Sequence, residues 1–472
     1  MAAMVIEVPE KLKDFGDAVL ATIKAVQNAI AESAGGKAVD YDAIECAIAD
    51  ALARSECAAH RAVLQSLDID RPTIMIGGKH HRRVGRCDAT YYTMAGPAVV
   101  TRSLYRERGV RNGKVVDPVS VRAGVVADGW LPRTARAMAH ALQQSTSRDA
   151  EASANESKRL PYSRSSFERV AHAVGEVYLP HHVDIEGVLI EEFVVPKEAR
   201  SVSASLDRVN IPMEEPRVRP VGRPKKGAPK RPIARNFRQA YCGTVTLHDA
   251  NGEALHTIRY GRMPQGNVVE LVEGMAADVG MLIAQRGDLM VDLLCDGAPE
   301  MWNLLRAQFT AENFGEVHEL IDLRHTMEKL SAAAEVIHGE DRYPVIQRWK
   351  LRLLNSSRAV DGILADLHAS GREHVKVGKT MPVHEAITYL TNQGDRMDYA
   401  AARRMGLPLG SGNVEATCKS LFEVRFKRAG SRWKEVTGEH IAQLRALAIS
   451  DRWPRAMELT MQRLRRAVKA IA

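Results

Sequence analysis

The chain has 472 residues, 45% hydrophobic and 26% charged, with 34 Gly and 20 Pro. At about 150 residues per domain this is length for about three domains, and an ordinary globular composition that excludes disordered, collagen-like and disulfide-scaffold classes. The 66 Lys and Arg against 58 Asp and Glu leave a net charge of +8, concentrated in two places: Pro216 to Arg238 carries nine basic residues and no acid, and Arg403 to Ala472 fifteen against six. Localised positive charge favours a polyanionic partner. No stretch reaches 18 apolar residues, so no membrane span and no membrane partner are expected. The opening MAAMVIEVPEKLKDFG lacks a basic stretch followed by an apolar one, and the six cysteines are scattered without a CxxC pair. Both features point to a cytoplasmic protein with structural thiols and no cysteine-rich zinc site.

In chain order, residues 10–66 read as two helices, with Leu12, Phe15, Val19, Ile23, Val26 and Ile30 recurring at spacings of three and four. From Thr73 to Arg106, short β-branched and aromatic runs punctuated by Gly77-Gly78 and Gly96-Pro97 suggest a small antiparallel hairpin unit, crowded with Lys79, His80, His81, Arg82, Arg83 and Arg86. Leu131–Gln144, Ser147–Arg159 and Ser163–Tyr178 then read as three helices. The last opens with the cap-like Ser163 and carries Arg164, a pattern shared by plain bundles and helix-turn-helix DNA readers.

After a helix over Leu179–Glu192 the texture becomes strand-rich. Ser201 to Asp207 alternates, which sets Asp207 on the polar face with Ser203 and Ser205 at the strand's end. Tyr241–His248 and Leu255–Tyr260 flank Asp249-Ala-Asn-Gly252, a hairpin signal. Val268–Gln285 is a helix, and Leu289–Cys295 has the continuous apolar character of a strand buried on both faces, ending at Asp296-Gly297. A helix over Pro299–Gln308 and a strand over Val317–Ile321 follow. Residues 324–405 are helical throughout, and a glycine-rich turn, Gly406–Asn413, leads to a helix with Glu415 in its first turn.

Three antiparallel strands, a helix, a buried strand with an acid at its end, and a late helix carrying another acid form the order of an RNase H-like core. Acids at those places can meet at one sheet edge, where carboxylates offer the hard, shared oxygens that two Mg²⁺ ions require. Asp292 and Asp322 are rival second acids; Asp296 is preferred because an acid at a strand's carboxyl end faces ligand sites, whereas one in mid-strand is buried.

The segments SVSASLDRV (201–209), YCGTVTLHDANGEALHTIRYGRMP (241–264), LCDGAPEMWN (294–303) and above all GLPLGSGNVEATCKSLFEVRFKRAGSRW (406–433) resemble the DDE transposases of bacterial insertion sequences, specifically the ISKra-type group. The likeness runs from about Arg86 to Trp453. It implies an α/β RNase H-like catalytic core with an all-α insertion, preceded by helical and small β-hairpin DNA-binding segments: a helical segment 1–70, a hairpin plus helix-turn-helix-like region 71–195, and a catalytic domain 196–472 with its insertion at about 324–405. It further implies Asp207, Asp296 and Glu415 as metal-binding catalytic acids, two Mg²⁺ or Mn²⁺ ions, double-stranded DNA as partner, a homodimer or higher assembly, and a bacterial cytoplasm. The alternatives are a nuclease or resolvase on the same fold, or a non-catalytic DNA-binding descendant. The sequence departs from many DDE enzymes seven residues after Glu415, where Phe422 replaces a basic residue.

Arg164, Lys419, Arg425, Lys427 and Arg432 are expected to grip phosphates, with Trp433 free to stack on an unpaired base. Gly222-Arg223-Pro224-Lys225-Lys226 resembles the core of a minor-groove hook, against which stands a basic loop of sequence-independent affinity. His325 is expected to be a satisfied structural histidine.

Overall fold

The computed structural model describes residues 7–34, 36, 38–214, 227 and 236–471, a mixed α/β chain with two five-stranded sheets. It divides into two compact units, 1–182 with 454–472, and 183–453.

The first unit opens with an antiparallel pair of helices, α1 (Lys13–Ser33) and α2 (Tyr41–Ser66). The second starts where it does because the Asp40 carboxylate accepts the Ala43 N–H at 3.1 Å. Strands β1 (Thr73–Ile76), β2 (Lys79–Tyr92), β3 (Pro97–Glu107) and β4 (Val115–Val116) pair antiparallel. Helices α3 (Pro118–Ala123), α4 (Pro132–Gln144), α5 (Ser147–Glu156) and α6 (Arg164–Tyr178) follow. A reciprocal capping box between Thr146 and Asp149 starts α5. Ser163 does stand before α6, but its hydroxyl meets Ser165 and Ser166 at 3.1 Å instead of capping the backbone. Trp130 lies between Tyr92 and Tyr162, with ring centroids 4.3 and 4.7 Å away, and fills the middle of this unit.

Helix α7 (His182–Glu191) leads into the second unit. Here β5 (Ser201–Met213), β6 (Asn236–His248) and β7 (Ala254–Arg262) form an antiparallel meander. The β6–β7 turn closes through the Asp249 carboxylate, which accepts from Asn251 and Glu253 N–H groups, with Gly252 at φ 77°. After α8 (Val268–Gln285) come β8 (Met290–Cys295), α9 (Pro299–Gln308), α10 (Ala311–Phe314) and β9 (Val317–Ile321). The sheet order is β7-β6-β5-β8-β9, with β8 and β9 parallel to β5. One face of this sheet presents Val202, Ala204, Leu206 and Val245 to Leu271 and Met275 of α8 in the main core, each large side chain contributing about 1.5–3 kcal/mol on burial. The other face is polar: Ser203 and His248 Nε2 are 2.7 Å apart, and Thr246 donates to Thr257 at 3.2 Å. Burial pushes His248 down to about 4, so it is neutral at pH 7.

Residues 324–405 carry helices α11 (Leu323–His338), α12 (Arg342–Asn355), α13 (Ala359–Ala369), α14 (Pro382–Gln393) and α15 (Tyr399–Met405), as expected, but 370–381 is a non-helical connection that holds one bridge between Val377 and Thr380. The chain then forms α16 (Gly412–Thr417), a π-helical stretch over Cys418–Glu423, α17 (Val424–Phe426) and α18 (Glu435–Ile449). Finally α19 (Trp453–Gln462) leads back to the first sheet, where β10 (Val468–Ala470) pairs antiparallel with β1.

Two findings correct the sequence reading. Strand β5 runs on to Met213, so Asp207 lies in mid-strand and not at its end, because the pairing with β6 extends to Asn236. The C-terminal strand, three residues long and too short to announce itself in the sequence, forms because β1 offers it an open edge. Among the described residues no helix is long and apolar enough to cross a membrane.

Candidate active site

The parallel ladder between β5 and β8 pairs Ala204 with Leu293; three residues further along both strands stand Asp207 and Asp296. The ladder between β8 and β9 closes at Cys295 and Ile321, and the next residues are Asp296 and Asp322. Two contacts hold the row together: Asp322 N–H donates to Cys295 C=O at 2.9 Å, and Leu206 N–H donates to Cys295 Sγ at 3.3 Å. Residues level in a ladder share a face, so three aspartates stand side by side beyond the ends of the parallel pairing, the edge at which open α/β sheets bind ligands.

The three differ in their surroundings. Asp207 is largely buried, and its carboxyl is held above the usual range first by that burial and further by the negative charge of Asp296. The Arg208 N–H at 2.7 Å and the Cys418 thiol at 3.4 Å oppose the rise, as does His325. Asp296 is half-exposed and accepts the Ala298 N–H at 2.9 Å, while its own carbonyl accepts from Trp302 Nε1 at 2.7 Å. Gly297 follows because a side chain there would stand 2.6 Å from the Tyr389 ring. Asp322 is fully buried and committed: it accepts the His325 N–H at 3.1 Å, capping α11, and both the N–H and the hydroxyl of Ser411, the latter at 2.6 Å. It thereby ties β9 to the turn from which α16 starts.

Glu415 is set on α16 by that anchored turn. Its carboxylate meets Arg324 Nη1 at 3.0 Å and His325 Nε2 at 3.3 Å, both from the start of α11, rather than Lys419 one turn further on. Both ring nitrogens of His325 thus have partners, Nε2 on Glu415 and Nδ1 on Glu328 at 3.4 Å, so the histidine is satisfied and touches a candidate acid. Cys418, three residues after Glu415, bonds Asp207, so the face of the segment carrying Glu415 is turned toward the row of aspartates. Asp292 is 1% exposed; neither carboxylate oxygen has a hydrogen-bond partner, and burial holds its carboxyl well above the usual range. It is a neutral acid inside the sheet.

Asp207, Asp296 and Glu415 supply the hard oxygen donors that Mg²⁺ or Mn²⁺ prefers, and burial of Asp207 beside a second carboxylate is a site that a cation would relieve. Among the described residues, no group of three or more His, Cys, Asp or Glu is drawn together closely enough to hold a metal ion. The Glu415 carboxylate is occupied by Arg324 and His325. The donor chemistry fits; Glu415 would join it by exchanging its contacts with Arg324 and His325.

The basic residues singled out from the sequence fall into three groups. Arg164, Lys419 and Lys427 are exposed, the last paired with Glu423 at 2.7 Å. Arg425 is 5% exposed and lies 4.8 Å over the Trp433 ring, which also packs against Phe426 at 4.2 Å and donates to its carbonyl at 3.1 Å. Arg425 and Trp433 therefore hold each other, rather than standing free for phosphate and base; Trp433 also pairs with Pro212 and Glu214 at the end of β5. Arg432 is half-buried, with one guanidinium nitrogen on the Ser431 carbonyl. Arg223, Lys225 and Lys226 lie outside the described residues. Phe422 is wholly buried, which accounts for the absence of a basic side chain at that position.

Compared with protein-family models and with curated proteins, the chain gives no match.

Proposed function

We propose that the chain is a metal-dependent DNA transposase of the DDE type, with an RNase H-like second unit in which Asp207, Asp296 and Glu415 are the metal-holding acids. The observation that carries this reading is the register that brings Asp207 and Asp296 level at one sheet edge, with the Glu415 segment fastened to Asp207 through Cys418. Asp207, Asp296 and Glu415 would hold divalent cations, which would supply neutralisation of phosphate charge and activation of an oxygen nucleophile for in-line displacement.

The chain's own residues do the positioning. Asp322 anchors the start of α16 and so the approach of Glu415. Arg208 N–H and the Cys418 thiol fix the Asp207 carboxylate. Lys419 and Lys427 are exposed on the segment after Glu415 and would contact phosphates beside the cut strand. The basic segment 216–238 would add sequence-independent affinity that weakens as salt rises.

The test is to incubate the purified protein and Mg²⁺ with a plasmid carrying the gene's own flanking DNA, and to map broken and joined ends for the native chain and for Glu415→Gln. Defined 3′-OH ends that join target DNA, lost in the variant with DNA binding retained, establish the transposase. Cutting without joining identifies a nuclease or resolvase. Binding without cutting by either protein identifies a DNA-binding descendant, and cutting that persists in the variant removes Glu415 from the site.

A further inference from the structure

The turn that carries Asp296 is held from outside the sheet. Trp302 Nε1 donates to the Asp296 carbonyl at 2.7 Å, and Gln393 Nε2, at the end of α14, donates to the Gly297 carbonyl at 3.2 Å. The Tyr389 ring, one turn earlier on α14, lies so close over Gly297 that a Cβ there would stand 2.6 Å from it. The Asp296 carboxylate itself accepts the Ala298 N–H at 2.9 Å, so its direction follows the position of this turn.

Arg396 stands behind both donors. Three residues after Gln393, its guanidinium donates to Gln393 Oε1 and lies 4.6 Å from the centre of the Trp302 ring. A guanidinium has only donors to offer. The Gln393 amide oxygen must therefore face Arg396, which leaves the amide N–H groups to face the Gly297 carbonyl. Gln393 is 9% exposed, and an amide turned the other way would set its oxygen against that carbonyl and its donors against the guanidinium. The same guanidinium lies over the indole whose N–H holds Asp296, a double duty that suits a planar cation.

We propose that Gln393 and Arg396 are positioning residues for Asp296, through which the helical insertion sets where the second acid stands. Strand β8 ends at Cys295, so the ladder with β9 fixes the strand but not the residue after it. Both carbonyls of the Asp296-Gly297 turn are taken instead by side chains that Arg396 touches. The proposal rests on the reading of Asp296 as a metal-holding acid. Removing a group that orients a metal ligand typically weakens metal binding by about 10–100-fold.

Calorimetric titration of the full chain with Mn²⁺, beside hydrogen exchange of residues 296–302 read by mass spectrometry, tests it. Gln393→Leu leaves the net charge alone and removes both hydrogen bonds; Arg396→Lys keeps the charge and removes the planar fork. Each should weaken Mn²⁺ binding about ten-fold. Each should also speed exchange across 296–302, with unchanged far-ultraviolet circular dichroism. Asn392→Ala, exposed beside Gln393, should match the native chain in both measurements. Native affinity in either variant, with binding lost in Asp296→Ala, overturns the proposal alone, as does native exchange. Mn²⁺ binding that is absent from the native chain, or that survives in Asp296→Ala, overturns the metal-holding reading and this proposal with it.

Discussion

Cys418 Sγ lies 3.4 Å from Asp207 Oδ2, and this contact joins the segment bearing Glu415 to the Asp207 carboxylate. The thiol is buried and is the only side-chain donor described for that carboxylate. Cys418→Ala should cost about 1–2 kcal/mol through the lost donor and the small void, read by urea unfolding. It should also slow strand cleavage more than it weakens DNA binding. Cys418→Ser, which restores a donor, should recover part of the cleavage rate; equal rates for Ala and Ser would remove the contact from the site.

Arg324 competes for Glu415. It is largely exposed, and exposed ion pairs are worth about 0.2–1 kcal/mol, so its removal should ease cation binding by up to about five-fold. Arg324→Ala should accordingly lower the Mg²⁺ concentration that gives half-maximal cleavage. A rise would mean that Arg324 serves the substrate rather than holding Glu415.

Asp292 sits level with Ser203 and His318 in the sheet, without a hydrogen-bond partner for either oxygen. Its folded pKa is raised above that of the unfolded chain, so the folded form binds the extra proton and stability is highest below the unfolded value. That stability is lost as pH rises from about 4 toward the raised folded value. Asp292→Asn, which cannot ionise, should therefore be more stable than the native chain at pH 8 and gain less at pH 5. Denaturant unfolding at the two pH values reads the difference, and an equal effect at both would show that the carboxyl is not neutral in the fold.

Arg452 and Asp278 form a buried pair at 3.1 Å, with Tyr260 donating to the same carboxylate oxygen at 2.6 Å. Burial raises Asp278 to about 6 despite the guanidinium, so the attraction only partly offsets desolvation. Arg452→Met leaves that carboxylate without its counter-charge, with only the Tyr260 hydroxyl on it, and should cost about 3–5 kcal/mol at pH 8. Its folded pKa then climbs further and protonation relieves the loss, so the cost should be smaller at pH 5. A pH-independent cost would point to packing alone.

Local chemistry was enough to place much of the fold. The bounds of α8, α9 and β9 follow from periodicity and caps, because hydrogen bonds within a few residues decide them. The Asp-Ala-Asn-Gly turn fixes how β6 meets β7 for the same reason. Asp207, Asp296 and Glu415 are singled out by the order of the elements and above all by the resemblance of their segments; alternation alone set Asp207 at a strand end, and β5 runs on past it.

Contacts between distant residues were decided only by tertiary packing. Arg324 and His325 meet Glu415 across about 90 residues, and nothing near Glu415 announces them. Arg425 looks like a phosphate ligand in the sequence, yet Trp433 and Phe426 draw it inside, where cation–π contact replaces water. The apolar stripe of α1 reads as a core face, but α2 is met by Thr22 and its small neighbours, which let the two backbones come close and leave Ile23 and Ile30 outside. Amphipathicity states that a face will be covered; only the three-dimensional packing states which neighbour covers it, because that depends on shapes brought together from distant parts of the chain.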